Sequence, residues 1–346
     1  MAHAVFAAPM VFHGASSAAR LTRDRDSRSS RRDVTTGASV SSRSSFVFPK
    51  REWAHMTTAE FEGVDKTRLI ALLPVGAIEQ HGPHLPVCVD AAINAGVLAR
   101  AMELLPDDLP VCVLPPVPYG KSVEHDSFCG TLSLSAATLT AVWTDIGDSL
   151  HRAGVQKLVL FNAHGGQPQV MDIVARDLRK RHGMLVVTLS WFSFGLPESM
   201  FSDTELKHGL HAGDVETSVM LHLHPTLVQM DKARNFKSAG EVMEKDFQML
   251  APEGSGVGFG WLAEDLNASG ATGDASGATK EKGRATVEHA AHKLVELLTE
   301  GTYWPFPNLG TLFAHTRLTL SFIYRKSTSS TSSVSSTGTS RGGTAG

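Results

Sequence analysis

The sequence predicts an α/β protein whose parallel sheet is covered by helices on both faces. Three observations predict it. Short unbroken apolar runs recur along residues 69–189, segments of helical composition separate them, and two runs end at Gly76 and Asn162 beside clusters of His and carboxylate residues. Strands buried on both faces read as continuous rather than alternating apolar runs, and the intervening helices supply the crossovers.

The elements follow in order. Residues 69–75 are an apolar run closed by Gly76, a buried strand. Residues 91–105 have helical composition, and residues 111–114 form a second strand stopped by Pro115-Pro116. Residues 136–153 carry Leu139, Val142, Ile146 and Leu150 at three- and four-residue spacing, an amphipathic helix. A strand over 157–161, a helix over 169–181 and a strand over 184–189 continue the alternation, and helices are expected over 211–222 and 278–299. No internal repeat is present.

Composition limits the function classes. The chain has 346 residues, 42% apolar and 19% charged, with a formal net charge of -3. That balance suits a globular core and argues against a nucleic-acid partner, which needs a basic surface. No apolar run is long enough for a membrane span. Cys88, Cys112 and Cys129 form no CxxC pair, so neither a disulfide framework nor a zinc knuckle is expected.

The ends read differently. Residues 1–48 are rich in Ser and Arg, with Asp24, Asp26 and Asp33 as their acids. That composition, without an apolar segment after the basic start, resembles an organellar transit peptide (plastid or mitochondrion) more than a secretory signal. The alternatives are an extension without an address, consistent with a cytoplasmic protein, or a start at Met56. Residues 318–324 are a short apolar run left unassigned, and residues 327–346 are a Ser/Thr/Gly tail expected to stay disordered.

The chemistry is expected at the strand exits, because an open parallel sheet binds ligands beyond its carboxyl ends. The first exit delivers Glu79, His81, His84 and Asp90, and another delivers His164 between Asn162 and Gly165-Gly166. Glu79 and His81 are two apart, so extended backbone points both side chains the same way. Mixed His and carboxylate donors suit Zn or Mn, and a carboxylate such as Asp90 can bridge two ions about 3.5–4 Å apart. A third cluster holds His208, His211, Asp214 and Glu216. With a helix starting near His211, Glu216 faces roughly 140° away from it, so both reach one site only if the first turn is irregular.

Glu79-Gln80-His81-Gly82-Pro83-His84-Leu85-Pro86 with Asp90, Asn162-Ala163-His164-Gly165-Gly166, and His211-Ala212-Gly213-Asp214-Val215-Glu216-Thr217-Ser218 together resemble the creatininase (creatinine amidohydrolase) family. Tyr119 to His125 and Phe128-Cys129-Gly130-Thr131 look like its segment after the second strand, and the resemblance spans residues 52–305. It implies a single α/β/α domain with a parallel-rich sheet, commonly a homo-oligomer (a hexamer), that hydrolyses C–N bonds of cyclic or linear small amides at a two-metal centre. It also implies Glu79, Asp90 and His164 on one metal, His81 and Asp90 on the other, and His211 as the proton-transfer group.

In creatininase itself a carboxylate two residues after the histidine matching His164 completes the second metal. Here that position is Gly166, and Glu216 is the replacement candidate. Further departures are Gln167 for Asn, Asp214 for Glu and Cys129 for Pro; the loss at 166 weakens creatinine as the substrate. Ser122, Glu124, His125 and Trp191 are the candidate substrate-binding residues. The rival readings are a deformylase or peptidase acting in cofactor biosynthesis, and a non-catalytic binding or assembly protein on the same fold.

Overall fold

Each of the four apolar runs becomes a strand. In this computed structural model, which describes residues 50–252 and 257–302, β1 (Ile70–Val75), β2 (Val111–Val113), β3 (Lys157–Asn162) and β4 (Leu185–Ser190) form one parallel sheet in the order β2-β1-β3-β4. The helices, in chain order, are α1 (Thr58–Glu62), α2 (Val89–Leu104), α3 (Ala136–Arg152), α4 (Pro168–His182) and α5 (Asp203–His208). They continue with α6 (Asp214–Leu223), α7 (Gly240–Asp246), α8 (Ala263–Leu266) and α9 (Lys280–Thr302). A two-stranded antiparallel ribbon joins β5 (Asn235–Phe236) to β6 (Gly273–Asp274).

Period-2 alternation splits the central strands between two cores. Ile70, Leu72, Val159 and Phe161 pack with residues of α2, α6 and α9, while Leu69, Ala71, Leu73, Leu158 and Leu160 pack with α3 and α4 on the opposite face. Both faces of β1 and β3 are therefore covered, which is why their sequences are unbroken apolar runs. Trp143 of α3 is fully buried in the second core, where its large apolar surface contributes strongly. Gly283 lets α9 lie directly on α6: a Cβ there would stand 1.8 Å from the Ser218 carbonyl oxygen.

The strand order reverses between β1 and β3. From β1 the chain crosses to β2 on one side, and later β3 joins β1 on the other. Loops leaving the two carboxyl ends diverge there and open a crevice, the usual ligand position in such sheets. Val75 and Asn162 are register partners, so the Glu79 and His164 loops leave the sheet side by side. Asn94 of α2 secures this point by donating to the carbonyls of Val75 (3.1 Å) and Phe161 (2.8 Å).

Two helix starts differ from the sequence expectation. α2 begins at Val89, which puts Asp90 in its first turn rather than in the preceding loop. α6 begins at Asp214, not near His211: Ala212 adopts a left-handed φ of 58° and Gly213 is extended, so the helix cannot start earlier. His211 instead sits in a short antiparallel bridge with Thr272. The short helices α1, α5, α7 and α8 and the β5–β6 ribbon were not anticipated, being too brief to carry a period. Residues 1–48, 318–324 and 327–346 lie outside the described residues. Among the described residues, no helix is long and apolar enough to cross a membrane.

Candidate metal centre

Glu79, His81 and His164 from the strand-exit loops, Asp90 from the first turn of α2, His211 from the approach to α6 and Glu216 from α6 itself meet in the crevice between β1 and β3. Glu79, His81, Asp90, His164 and His211 are all buried, and the Glu216 side chain is 18% exposed. His164 Nδ1 stands 3.2 Å from Glu79 Oε2 and 3.4 Å from Asp90 Oδ2. His81 Nε2 stands 3.5 Å from Asp90 Oδ1 and 3.7 Å from Glu216 Oε2. The donor atoms thus fall into two triads, Glu79–Asp90–His164 and His81–Asp90–Glu216, which share Asp90 through its two oxygens. A third grouping joins Glu79, His81 and His211.

The second hydrogen bonds of the imidazoles fix which nitrogen faces the crevice. His164 Nε2 donates to the Lys121 carbonyl at 2.8 Å, and His81 Nδ1 donates to the Glu79 carbonyl at 3.1 Å. The opposite nitrogen of each ring is left for the carboxylates. A backbone carbonyl behind the imidazole is the usual way a ligand histidine is oriented. Asn162 steadies the His164 turn from both sides: its amide nitrogen donates to the His164 carbonyl at 2.6 Å, and its carbonyl oxygen accepts from the His164 N–H at 3.0 Å.

Whether these residues suit a cation can be tested on the molecule itself. His81 Nε2 and Asp90 Oδ2 are buried and make no hydrogen bond. Orphaned buried polar atoms are costly. The His-to-carboxylate separations within the two triads, 3.2 to 3.7 Å, exceed a good hydrogen bond yet match two ligands about 2.1 Å from a shared ion at a tetrahedral angle. Oxygen and nitrogen donors without thiolate fit Zn or Mn. The donor set fits.

Electrostatics point the same way. Burial opposes the charge on His81, but Glu216 and Asp90 outweigh it and hold its pKa well above the ordinary imidazole range. Burial likewise opposes charge on His164, and Glu79 with Asp90 outweighs it. Burial raises Asp90, yet His164 and His81 pull it far below the usual carboxylate range. The cluster of carboxylates is built to sit against positive charge.

Around the triads lies a ring of support. Ser122 Oγ donates to Glu79 Oε2 at 2.5 Å. The Gln80 side chain donates to His125 Nδ1 at 2.7 Å and to the Gly270 carbonyl at 2.8 Å. His211 Nε2 donates to the Gln80 carbonyl at 2.6 Å, leaving Nδ1 3.7 Å from Glu79 Oε1. Burial, and then the neighbouring His81, lower the His211 pKa. It packs between His81 and His125, with ring centroids 4.1 and 4.2 Å away.

The triads open into a cavity of about 980 Å³. Glu124, His125 and Trp191, three of the four residues expected to bind substrate, line it. Ser122 does not. It is fully buried beneath the wall, because its hydroxyl is turned inward to Glu79. Glu216 and His211 both reach the crevice, since the break at Ala212 and Gly213 frees His211 from the helical spacing that separates them. His208 and Asp214 are diverted elsewhere: His208 pairs with Glu244, and Asp214 binds Lys282 and Ser218. Sequence reasoning missed Lys121, Gln80 and Asn94, whose roles rest on contacts distant in sequence.

The family model for creatinine amidohydrolase, Creatininase, matches residues 54–298. The chain belongs to the creatininase family. Among curated relatives, the mycofactocin precursor peptide peptidase of Mycolicibacterium smegmatis is 34% identical over 165 residues, 47% of this chain and 61% of the relative. The chain thus spans less than two thirds of that peptidase's length. The creatinine amidohydrolase of Pseudomonas putida is 34% identical over 194 residues, 51% of this chain and 73% of the relative. A solved manganese form of creatininase superimposes with a TM-score of 0.59 at 29% identity, covering 73% of this chain and 99% of the other. This creatininase-family chain therefore shares fold and sequence with enzymes that carry different names.

Proposed function

We propose that this chain is a metal-dependent hydrolase of a C–N amide bond in a cyclic or linear small amide, working with two divalent cations. One observation carries the reading: two donor triads, Glu79–Asp90–His164 and His81–Asp90–Glu216, share Asp90 in the crevice at the strand-order reversal. Glu79, Asp90 and His164 would hold one ion, and His81, Asp90 and Glu216 the other. The manganese form among the solved relatives and the donor chemistry support Mn or Zn. When bound, such ions would polarise a carbonyl oxygen and lower the pKa of a bound water.

The protein's own residues do the rest. His211, with Nε2 held by the Gln80 carbonyl and Nδ1 directed at the Glu79 carboxylate, accepts a proton from the attacking water and delivers it to the leaving nitrogen. Gln80 holds that imidazole through its carbonyl and holds His125 through its amide, so both rings keep one orientation. Ser122 fixes one oxygen of Glu79. Trp191, His125 and Glu124 form cavity walls against which the amide is positioned.

A peptidase-like reading is favoured by one feature, a cavity of about 980 Å³, at the upper end of ligand-site volumes and far larger than a small ring requires. A panel of cyclic amides, N-formyl compounds and short peptides separates the amidohydrolase, deformylase and peptidase readings. A non-catalytic assembly protein predicts no bound metal and no turnover on any of them. The proposal extends to a homo-oligomer, on the family resemblance, and to an organellar address in residues 1–48, on their Arg- and Ser-rich composition. A mature N-terminus near Pro49, found by mass spectrometry of the cellular protein, tests the address; an intact Met1 argues against it.

A further inference from the structure

The described residues lining the cavity include five carboxylates, Glu79, Asp90, Glu124, Glu205 and Glu216, against one Lys or Arg side chain, Lys121. A lone ammonium in so acidic a cavity is unusual, and its surroundings are built around it. Lys121 Nζ donates to Glu124 Oε2 at 2.7 Å and to the Gly166 carbonyl at 3.1 Å, and its side chain is 24% exposed. An ammonium has three donors, so one remains for the cavity. The Lys121 carbonyl accepts from His164 Nε2 at 2.8 Å, which fixes the lysine's backbone directly behind a proposed metal ligand.

Gly166 makes this arrangement possible. A Cβ at that position would lie 1.6 Å from Glu124 Oε1 and 2.6 Å from His164 Nε2. The Glu124 carboxylate therefore occupies the space that any side chain at position 166 would need, and its Oε1 stands 3.6 Å from His164 Nε2. The present chain thus has an acceptor and a donor side by side on the wall.

We propose that Lys121 anchors a substrate carboxylate, with Glu124 beside it accepting an N–H, so that this chain takes amides bearing a carboxylate close to the scissile nitrogen, of the N-acyl amino acid type. This rests on the amide-hydrolase reading and deepens it. Lys121 has one donor left, which suits the single charge of a carboxylate. The spacing suits adjacent groups: the ammonium and the Glu124 carboxylate share one contact, so the two ligand groups they take up must also be neighbours.

The test compares N-acetylglycine with N-acetylglycinamide, which differ in the carboxylate alone, by calorimetric binding to the metal-loaded protein. The wild type is expected to prefer the carboxylate, and Lys121→Met to reduce that preference by about 10- to 100-fold, the range for a lost charge-assisted hydrogen bond. Lys121→Arg should keep most of it. Glu124→Gln should strengthen the preference, since the Glu124 charge that competes for the Lys121 ammonium is gone; this variant keeps the test open if Lys121→Met does not fold. A preference that survives in Lys121→Met belongs to the metals and overturns the proposal, as does equal binding of both probes by the wild type. Hydrolysis of uncharged amides alongside equal binding would overturn the anchor and leave the hydrolase reading standing. A protein that takes up no added Mn or Zn and binds neither probe would overturn both.

Discussion

Ser122 Oγ donates to Glu79 Oε2 at 2.5 Å, and both residues are buried. The bond settles which oxygen of Glu79 is held from behind and keeps the carboxylate from rotating as the charge before it changes. Ser122→Ala should lower divalent-metal affinity by about 10- to 100-fold, the usual effect of removing an outer-shell partner. Competition with a metal-binding dye checks this. Unchanged affinity would show that the hydroxyl is a packing group only.

Glu216 is expected to hold one ion and not the other. Its Oε2 reaches His81 and also accepts the Ala212 N–H at 2.6 Å, so the side chain has one fixed pose. Glu216→Ala should retain about half of the wild-type metal, because the Glu79–Asp90–His164 triad stays intact. Elemental analysis decides. Loss of all metal would mean that the two ions bind as an inseparable pair, and no loss would remove Glu216 from the site.

His211 is the proton-transfer candidate, yet its Nδ1 also lies near a third donor grouping with Glu79 and His81. His211→Asn should reduce kcat by about 10²- to 10⁴-fold while metal content stays at the wild-type value. If metal falls together with kcat, His211 is a ligand instead.

His84 supplies a pH dependence separate from catalysis. It is fully buried, its Nε2 pairs with Thr217 Oγ1 at 2.9 Å, and its ring stacks on Phe236. Burial lowers its pKa from 6.5 to about 4. The unfolded chain therefore takes up a proton before the folded one does, so stability is full above pH 6.5 and is lost as pH falls toward 4. Denaturant unfolding of chelated protein at pH 7.5 and pH 5 should show wild type losing on the order of 1–2 kcal/mol more than His84→Gln. Equal losses would mean that the buried ring is protonated in the folded state.

The legible part of this molecule was local. The apolar runs at 69–75 and 157–161 mark buried parallel strands, and the His and carboxylate residues at their exits need only the ends of neighbouring strands to meet. The α6 start is not legible, because composition alone cannot reveal that Ala212 turns left-handed next to the bridge between His211 and Thr272. The direction of the Ser122 hydroxyl is illegible for a similar reason: one facing a cavity and one turned inward to Glu79 share the same sequence. Lys121 carried no signal, because its meaning depends on Glu124 filling the space at Gly166.

Metal content of protein purified without chelator tests the shared-aspartate centre most directly, read together with amide hydrolysis. About two divalent ions per chain are expected in the wild type, with Glu79→Ala and His164→Ala losing both the metal and the activity. A wild-type chain without metal, or full hydrolysis by a metal-free variant, would contradict it.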